Sequence, residues 1–298
     1  MTATWTVGSI TIHRIDELLL APQTGQWLLP DATPDLVARQ DWLRPDFASP
    51  DAELRLHSHS FAVETEGLRV LVDTGIGNGK SRANPAWHNL DTTYRDNLRS
   101  IGFTPDSVDL VVLTHLHTDH VGWNTHEVNG TWVPTFGNAR HITSRVERDF
   151  WAGYAMDAPR RQMFEDSVLP VEQAGLLEPV EVPGDGIEIA PGLRLLPTPG
   201  HTPGHISVHL SSAGETALIS GDAVHHPVQL AHPSLSSCVD IDATQAEATR
   251  RRLLASLAGT GTLLLGSHFP APTGGHVLPE GNAYRLGHQA NAAVPASS

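Results

Sequence analysis

Thr114-His115-Leu116-His117-Thr118-Asp119-His120 gathers three imidazoles and a carboxylate into seven residues. His115, His117 and Asp119 occupy alternate positions, and an extended chain sends alternate side chains to one side. His120 follows at once, where the chain is expected to turn into a short helix near Val121-Gly122-Trp123. Nitrogen and oxygen donors grouped in this way suit borderline-soft divalent metals such as zinc. One histidine pair would mean little in a chain with 18 His, since most are surface or hydrogen-bonded core residues. Three with an aspartate at fixed spacing, directly behind an apolar run, is a stronger signal.

Three further positions could bring ligands to the same place. In Pro199-Gly200-His201-Thr202-Pro203-Gly204-His205 the turn residues present His201 from a rigid loop, whereas His205 opens the next strand and reads as structural. Ser220-Gly221-Asp222 ends the apolar run Ala217-Leu218-Ile219, and Gly266-Ser267-His268 ends Leu263-Leu264-Leu265. Singly, an aspartate or histidine at a strand end is usually a turn residue. Together, four strand ends would deliver seven donors to one edge of a sheet sandwich: His115, His117, Asp119, His120, His201, Asp222 and His268. Asp73, in Asp73-Thr74-Gly75, is a candidate acceptor that orients a ligand histidine. The glycine-rich stretch that continues to Gly79 lacks the Gly-Lys-Ser/Thr of a phosphate cradle, so it reads as a turn lining the site.

The elements that must hold these residues show as periodicities. Residues 108–113 are rich in β-branched residues and too short for a buried helix, which predicts an interior strand. Residues 5–18 read as one or two strands broken at Gly8-Ser9, and 58–65 with 68–73 as a hairpin across Glu66-Gly67. Helices are expected over 90–101, over most of 144–175, and over 243–258 behind an Asp242-x-x-Gln245 cap. Short strands fill 177–221, a last buried strand covers 262–265, and a Pro- and Gly-rich tail begins at 269, frayed over 290–298. Residues 21–56 carry Trp27, Leu28, Leu29, Trp42, Leu43 and Phe47 among prolines and polar residues, and read as a long lid or pocket-wall loop. No linker or repeat interrupts residues 1–298, so one domain made of two β-then-α halves is expected.

At 298 residues and 32.1 kDa the chain can bury a large core. A net charge of -14, with one lysine (Lys80) against 18 arginines and no basic stripe, argues against nucleic-acid binding. Cys238 is alone, so no intrachain disulfide forms, which fits a reducing compartment. No run approaches 18 apolar residues, and the first residues lack a basic n-region and an apolar h-region, so neither a membrane span nor a secretory signal is expected and the default location is cytoplasmic.

His115-x-His117-x-Asp119-His120, then His201, Asp222 and His268, with the Asp73-Thr74-Gly75 turn, resembles the metallo-β-lactamase superfamily from about residue 5 to 275. The resemblance implies an α+β fold, a four-layer αβ/βα sandwich, with a dinuclear metal site at one edge. It places His115, His117 and His201 on one ion, Asp119, His120 and His268 on the other, and Asp222 between them. It implies two divalent ions per chain, zinc first, with manganese, iron or cobalt as alternatives. True β-lactamases lack a bridging aspartate at the position of Asp222. Glyoxalase-II-type thioesterases need a helical C-terminal domain, where this chain has only 30 residues after His268, and the tRNA-processing nucleases need a basic arm. The branch of N-acyl-homoserine lactonases and methyl-parathion-hydrolase-like enzymes remains, and the spacing is most similar to the parathion-hydrolase type. His225 stands where many lactonases place a tyrosine, three residues after the bridging aspartate.

The function so implied is hydrolysis of an ester or lactone, with phosphotriesters as promiscuous substrates, by a hydroxide shared between two metals. Asp119 would orient that nucleophile or shuttle its proton, and His225 would touch the substrate oxygen or protonate the leaving group, the alternative being that His225 merely packs. Trp27, Trp42, Trp123, Phe150 and Trp151 would suit an apolar acyl or leaving group if they line the pocket. Rival readings are a mononuclear iron-dependent oxidoreductase of the sulfur-dioxygenase type and a non-catalytic sensor on the same fold. A sensor would be expected to have lost ligands, and none is missing. The oligomeric state stays open, a homodimer included.

Overall fold

A computed structural model describes residues 3–288; the stretch 290–298, expected to fray, lies outside them. The first half of the chain forms β1 (Thr4–Val7), β2 (Ile10–Leu19), β3 (His57–Thr65), β4 (Leu68–Val72), β5 (Leu110–Val112), a separate hairpin of β6 (Thr125–Val128) and β7 (Thr131–Pro134), then β8 (Arg140–Ser144) and β9 (Leu177–Val180). The second half forms β10 (Ile187–Ala190), β11 (Leu193–Pro197), β12 (Ile206–Ser212), β13 (Glu215–Ile219), β14 (Leu263–Leu265), β15 (Gly274–Glu280) and β16 (Ala283–His288). Two seven-stranded sheets result, ordered β1-β2-β3-β4-β5-β8-β9 and β10 through β16 in sequence.

Strand alternation explains the layers. Leu110 and Val112 enter the core between the sheets, while Val111 faces outward onto helices. In the second sheet Ala217, Ile219, Leu263 and Leu265 face the shared core, and Leu218 and Leu264 face the other way. Strands buried on both faces read as continuous apolar runs, which is why they were legible. The helices Tyr94–Ser100, Arg145–Gly153 and Ala158–Ser167 bury Leu98, Trp151 and Phe164 on the outside of the first sheet. The helix Ala243–Leu257 buries Leu253, Leu254 and Leu257 on the outside of the second, its N-cap Asp242 accepting the Gln245 N–H at 2.9 Å. The architecture is the expected four-layer αβ/βα sandwich.

Two expectations need correction. Residues 21–56 are not one loop: Pro22–Leu28 and Pro34–Ala38 are short helices, each opened by proline at a first-turn position, and Asp41–Leu43 is a 3-10 turn. Leu28, Leu29, Val37, Leu43 and Phe47 from this stretch are buried with Leu218 and Leu264. The Pro- and Gly-rich tail from 269 also holds β15 and β16. Its glycines permit close approach and do not break the hairpin, since a Cβ on Gly275 would lie 2.1 Å from the Gly287 carbonyl oxygen.

Topology brings the ends that carry the candidate donors to one edge. β4 and β5 run parallel, as do β13 and β14, so the residues after Val72, Val112, Ile219 and Leu265 emerge on the same side of their own sheets. β12 runs antiparallel to β13, which puts the 198–205 loop before it at that edge too. Among the described residues no helix is long and apolar enough to cross a membrane.

Candidate metal centre

β5 stops at Val112, so the 114–117 segment is loop, and Asp119 and His120 lie in the helical turn Thr118–Val121. The side chains converge through this loop-to-helix turn, and not through the extended chain that their alternate spacing suggests. Nonetheless the structure brings all seven predicted donors together. The ring nitrogens of His115, His117 and His201 lie within 4.8 Å of one another, as do donor atoms of Asp119, His120 and His268, and of His115, His120 and Asp222.

Asp222 stands between the two groups. Its Oδ2 lies 3.4 Å from His201 Nε2 and 3.8 Å from His115 Nε2; its Oδ1 lies 3.2 Å from His268 Nε2 and 3.3 Å from His120 Nε2. Asp119 reaches the second group only, 3.6 Å from His268 Nε2 and 3.8 Å from His120 Nε2. One oxygen of Asp222 thus serves each histidine set.

The far side of four of the five rings is fixed, those of His115, His120, His201 and His268. His120 Nδ1–H donates to Asp73 Oδ2 at 2.8 Å, His201 Nδ1–H to Asp240 Oδ1 at 2.8 Å, and His268 Nδ1–H to the His57 carbonyl at 3.1 Å. Thr114 gives its backbone N–H and its hydroxyl to Asp73 at 2.8 and 2.9 Å, and its Oγ1 lies 3.1 Å from His115 Nδ1. In the neutral form of these rings, acceptors on the outer nitrogens leave the inner nitrogens with lone pairs aimed at the cluster. Asp73 does this work from the left-handed backbone region, at φ +60. His205 is structural, as expected: its Nε2 accepts the Asp222 N–H at 2.9 Å and Nδ1 meets Thr198 Oγ1 at 2.8 Å. Burial drives its pKa down to about 3.

The donor set fits divalent metal. Buried His120 Nε2 and Asp222 Oδ1 have no hydrogen-bond partner among the described residues, although buried polar atoms are nearly always paired. Burial, reinforced by neighbouring histidines, pushes His115 and His117 well below the ordinary histidine pKa, so both are neutral donors at pH 7. Burial works against charge on His120 too, but Asp222, Asp73 and Asp119 hold its pKa well above the ordinary value. Asp222, in spite of burial, is held well below the carboxylate range by His120, His268 and His225. Nitrogen and oxygen donors from two crowded groups, with a carboxylate between, suit a pair of zinc-like ions.

A cavity of about 160 Å³ opens onto the cluster, lined by His117, Asp119, Asp222, His225 and His268 and by Leu20, Trp27, Leu28, Trp87, Val239 and Arg160. His225 is buried, its Nε2 lies 3.3 Å from Asp222 Oδ2, and neither ring nitrogen has a hydrogen-bond partner among the described residues. Of the five aromatic residues considered for the pocket wall, only Trp27 lines this cavity. Trp123 stacks on Tyr94 with centroids 5.4 Å apart, Trp151 packs beside His117 at 5.5 Å, Phe150 packs against the helix-side core of the first sheet, and Trp42 joins the core outside the second. Asp240, Trp87, Arg160, Glu17 and Glu147 were not anticipated. Their sequence neighbourhoods carry no spacing signal, and Ser144-x-x-Glu147 announces a helix start and no more.

Residues 54–268 match the family model of the metallo-beta-lactamase superfamily. N-acyl homoserine lactonase AiiA of Bacillus thuringiensis subsp. kurstaki is 28% identical over 176 residues, which cover 55% of this chain and 62% of that protein, so the match spans under two thirds of the relative. Among solved structures, AidC, a dizinc quorum-quenching lactonase in complex with a product N-hexnoyl-L-homoserine, aligns with a TM-score of 0.78 at 21% identity over 97% of both chains. The hydrolase AbOPH in the beta lactamase superfamily aligns with a TM-score of 0.75 at 26% identity over 96% of both chains. Because the family match runs through both sheets and every loop that carries a candidate donor, the chain belongs to the metallo-beta-lactamase superfamily.

Proposed function

We propose that this protein is a dinuclear metal-dependent hydrolase of lactones and carboxylic esters, with phosphotriesters as secondary substrates. The observation that carries the reading is Asp222, one oxygen turned to His115 and His201 and the other to His120 and His268. His115, His117, His201 and Asp222 would hold one ion, and Asp119, His120, His268 and Asp222 the other. When bound, two such ions, zinc first, supply Lewis acidity toward a carbonyl or phosphoryl oxygen and bring the pKa of water from about 15.7 to roughly 7.

The chain's own groups supply the rest. Asp119, which lines the cavity with its side chain 15% exposed, can orient an attacking water and accept its proton. His225, buried on the cavity wall without a hydrogen-bond partner among the described residues, can place a ring N–H against the substrate oxygen or the oxygen of a departing alkoxide. Leu20, Trp27, Leu28, Trp87 and Val239 offer an apolar wall for the acyl part and exclude water from it. Residues 21–56, which contribute Thr24, Trp27 and Leu28 to this lining, act, in this reading, as part of the cover of the site. Lactones come first because AiiA and AidC are described as lactonases.

Elemental analysis with a panel of acyl lactones, alkyl esters and aryl phosphotriesters tests the reading. Two metals per chain, lactone hydrolysis lost to a chelator and restored by zinc are the expected results. One iron per chain without hydrolysis of any panel member would overturn it in favour of the oxidoreductase.

A further inference from the structure

Glu147 lies in the first turn of the helix Arg145–Gly153 and is fully buried, though it belongs to none of the donor groups. Burying a carboxylate is costly unless donors surround it, and burial does raise the Glu147 carboxyl above its ordinary range. Four donors meet it. Oε1 accepts the Leu116 backbone N–H at 3.0 Å and the Trp151 indole N–H at 2.7 Å. Oε2 accepts the Thr202 hydroxyl at 2.6 Å and the Gly204 N–H at 3.2 Å. Leu116 sits between His115 and His117, and Thr202 is next to His201. One carboxylate therefore grips, one residue from each ligand, both loops that carry the three-histidine group.

The surroundings close the same joint. Ser144 Oγ accepts the Glu147 N–H at 3.0 Å and donates to the Gly204 carbonyl at 2.6 Å. A Cβ on Gly204 would stand 2.0 Å from the Glu147 nitrogen, so only glycine allows this approach of helix and loop. Trp151, four residues along the helix, sets its ring against His117 with centroids 5.5 Å apart at 66°.

We infer that Glu147 is a positioning residue that clamps the 115–117 and 201–204 loops together and so sets the metal affinity of the His115, His117 and His201 half of the centre. The inference rests on the dinuclear reading above. A carboxylate is required because four donors and no acceptor face it; a glutamine amide would point its own N–H groups at one of the two donor pairs. Outer partners of ligand histidines typically change metal affinity by about 10- to 100-fold when altered.

The test is zinc and cobalt titration of chelator-stripped wild type, Glu147→Gln and Glu17→Gln, with circular dichroism to check folding. Glu17 is a second buried carboxylate, but its donors are Ser58, Ile76, Gly77 and Trp123, outside both loops. Wild type should take up two ions. Glu147→Gln should keep one at wild-type affinity and bind the other 10- to 100-fold more weakly, with cobalt absorption matching His117→Ala as the reference for a damaged three-histidine half. Glu17→Gln should leave that half unchanged. Unaltered affinities in Glu147→Gln, beside two ions in wild type, overturn the inference alone; equal weakening of that half in both variants overturns it as well. A wild-type chain that takes up no metal overturns the dinuclear reading, and this inference with it. If Glu147→Gln does not fold, Thr202→Val removes one donor and keeps the shape: a smaller weakening of the same half supports the clamp, and none refutes it.

Discussion

Replacing Asp240 by alanine strips the outer support from one proposed ligand without touching a ligand. The Asp240 side chain is fully buried; Oδ1 accepts the His201 Nδ1–H at 2.8 Å and Oδ2 the Ser237 N–H at 2.9 Å. Burial opposes its charge, yet the bond from His201 and the nearby His225 keep its carboxyl below the ordinary range. A hydrogen bond to a charged group is worth about 1.5–3 kcal/mol, and its loss frees the His201 ring to turn or to move its proton to the inner nitrogen. Since about 1.4 kcal/mol is tenfold in binding, the affinity of the first ion should fall roughly 10- to 100-fold in Asp240→Ala. Asp240→Asn keeps one carbonyl acceptor and should fall less than about tenfold. Competition against a chromophoric chelator at fixed pH reads both affinities, and urea unfolding of the stripped chain separates a local from a global effect. Unchanged zinc affinity in Asp240→Ala would refute the reasoning. Asparagine as damaging as alanine would show that charge, and not the oriented bond, supports His201.

Three other outcomes follow from the same geometry. His225→Ala should lower kcat/KM for lactones and alkyl esters by about 10²- to 10⁴-fold while sparing p-nitrophenyl esters and metal content, because a poor leaving group needs a proton donor; equal losses on both substrate types would assign His225 to pocket shape. His141 is buried in β8, and burial lowers its pKa from 6.5 to about 4. The unfolded chain then binds the extra proton between those values, so stability is full above pH 6.5 and falls by about 3 kcal/mol toward pH 4; His141→Phe should flatten that part of the stability-versus-pH curve in urea titrations, and an unchanged slope would refute the assignment. Leu264→Ala, in β14 at 0% exposure beneath the helix Ala243–Leu257, should cost about 2–5 kcal/mol by urea unfolding without changing metal stoichiometry, whereas a cost below about 1 kcal/mol would mean that the layer collapses onto the gap.

Local pattern was enough for the layers and for the donors. Leu110, Val111 and Val112 announce a strand buried on both faces, Leu263, Leu264 and Leu265 do the same, and the donors stand just beyond these strand ends. Asp73 was legible as an orienting group because it too follows a strand. Where local pattern misled, packing had the last word. The 269–288 stretch reads as a tail by its prolines and glycines, yet its glycines let two backbones approach, and the apolar residues of 21–56 fold into short helices once the second sheet gives them a face to cover. Asp240, Glu17 and Glu147 had no local signature at all. Their partners lie at sequence separations of 39, 106 and 55 residues for His201, Trp123 and Thr202, and sequence periodicity reports only neighbours a few positions apart. Which histidines stand together, which oxygen of Asp222 faces which set, and what backs their rings depend on how two sheets register at one edge, and only the tertiary structure decides that.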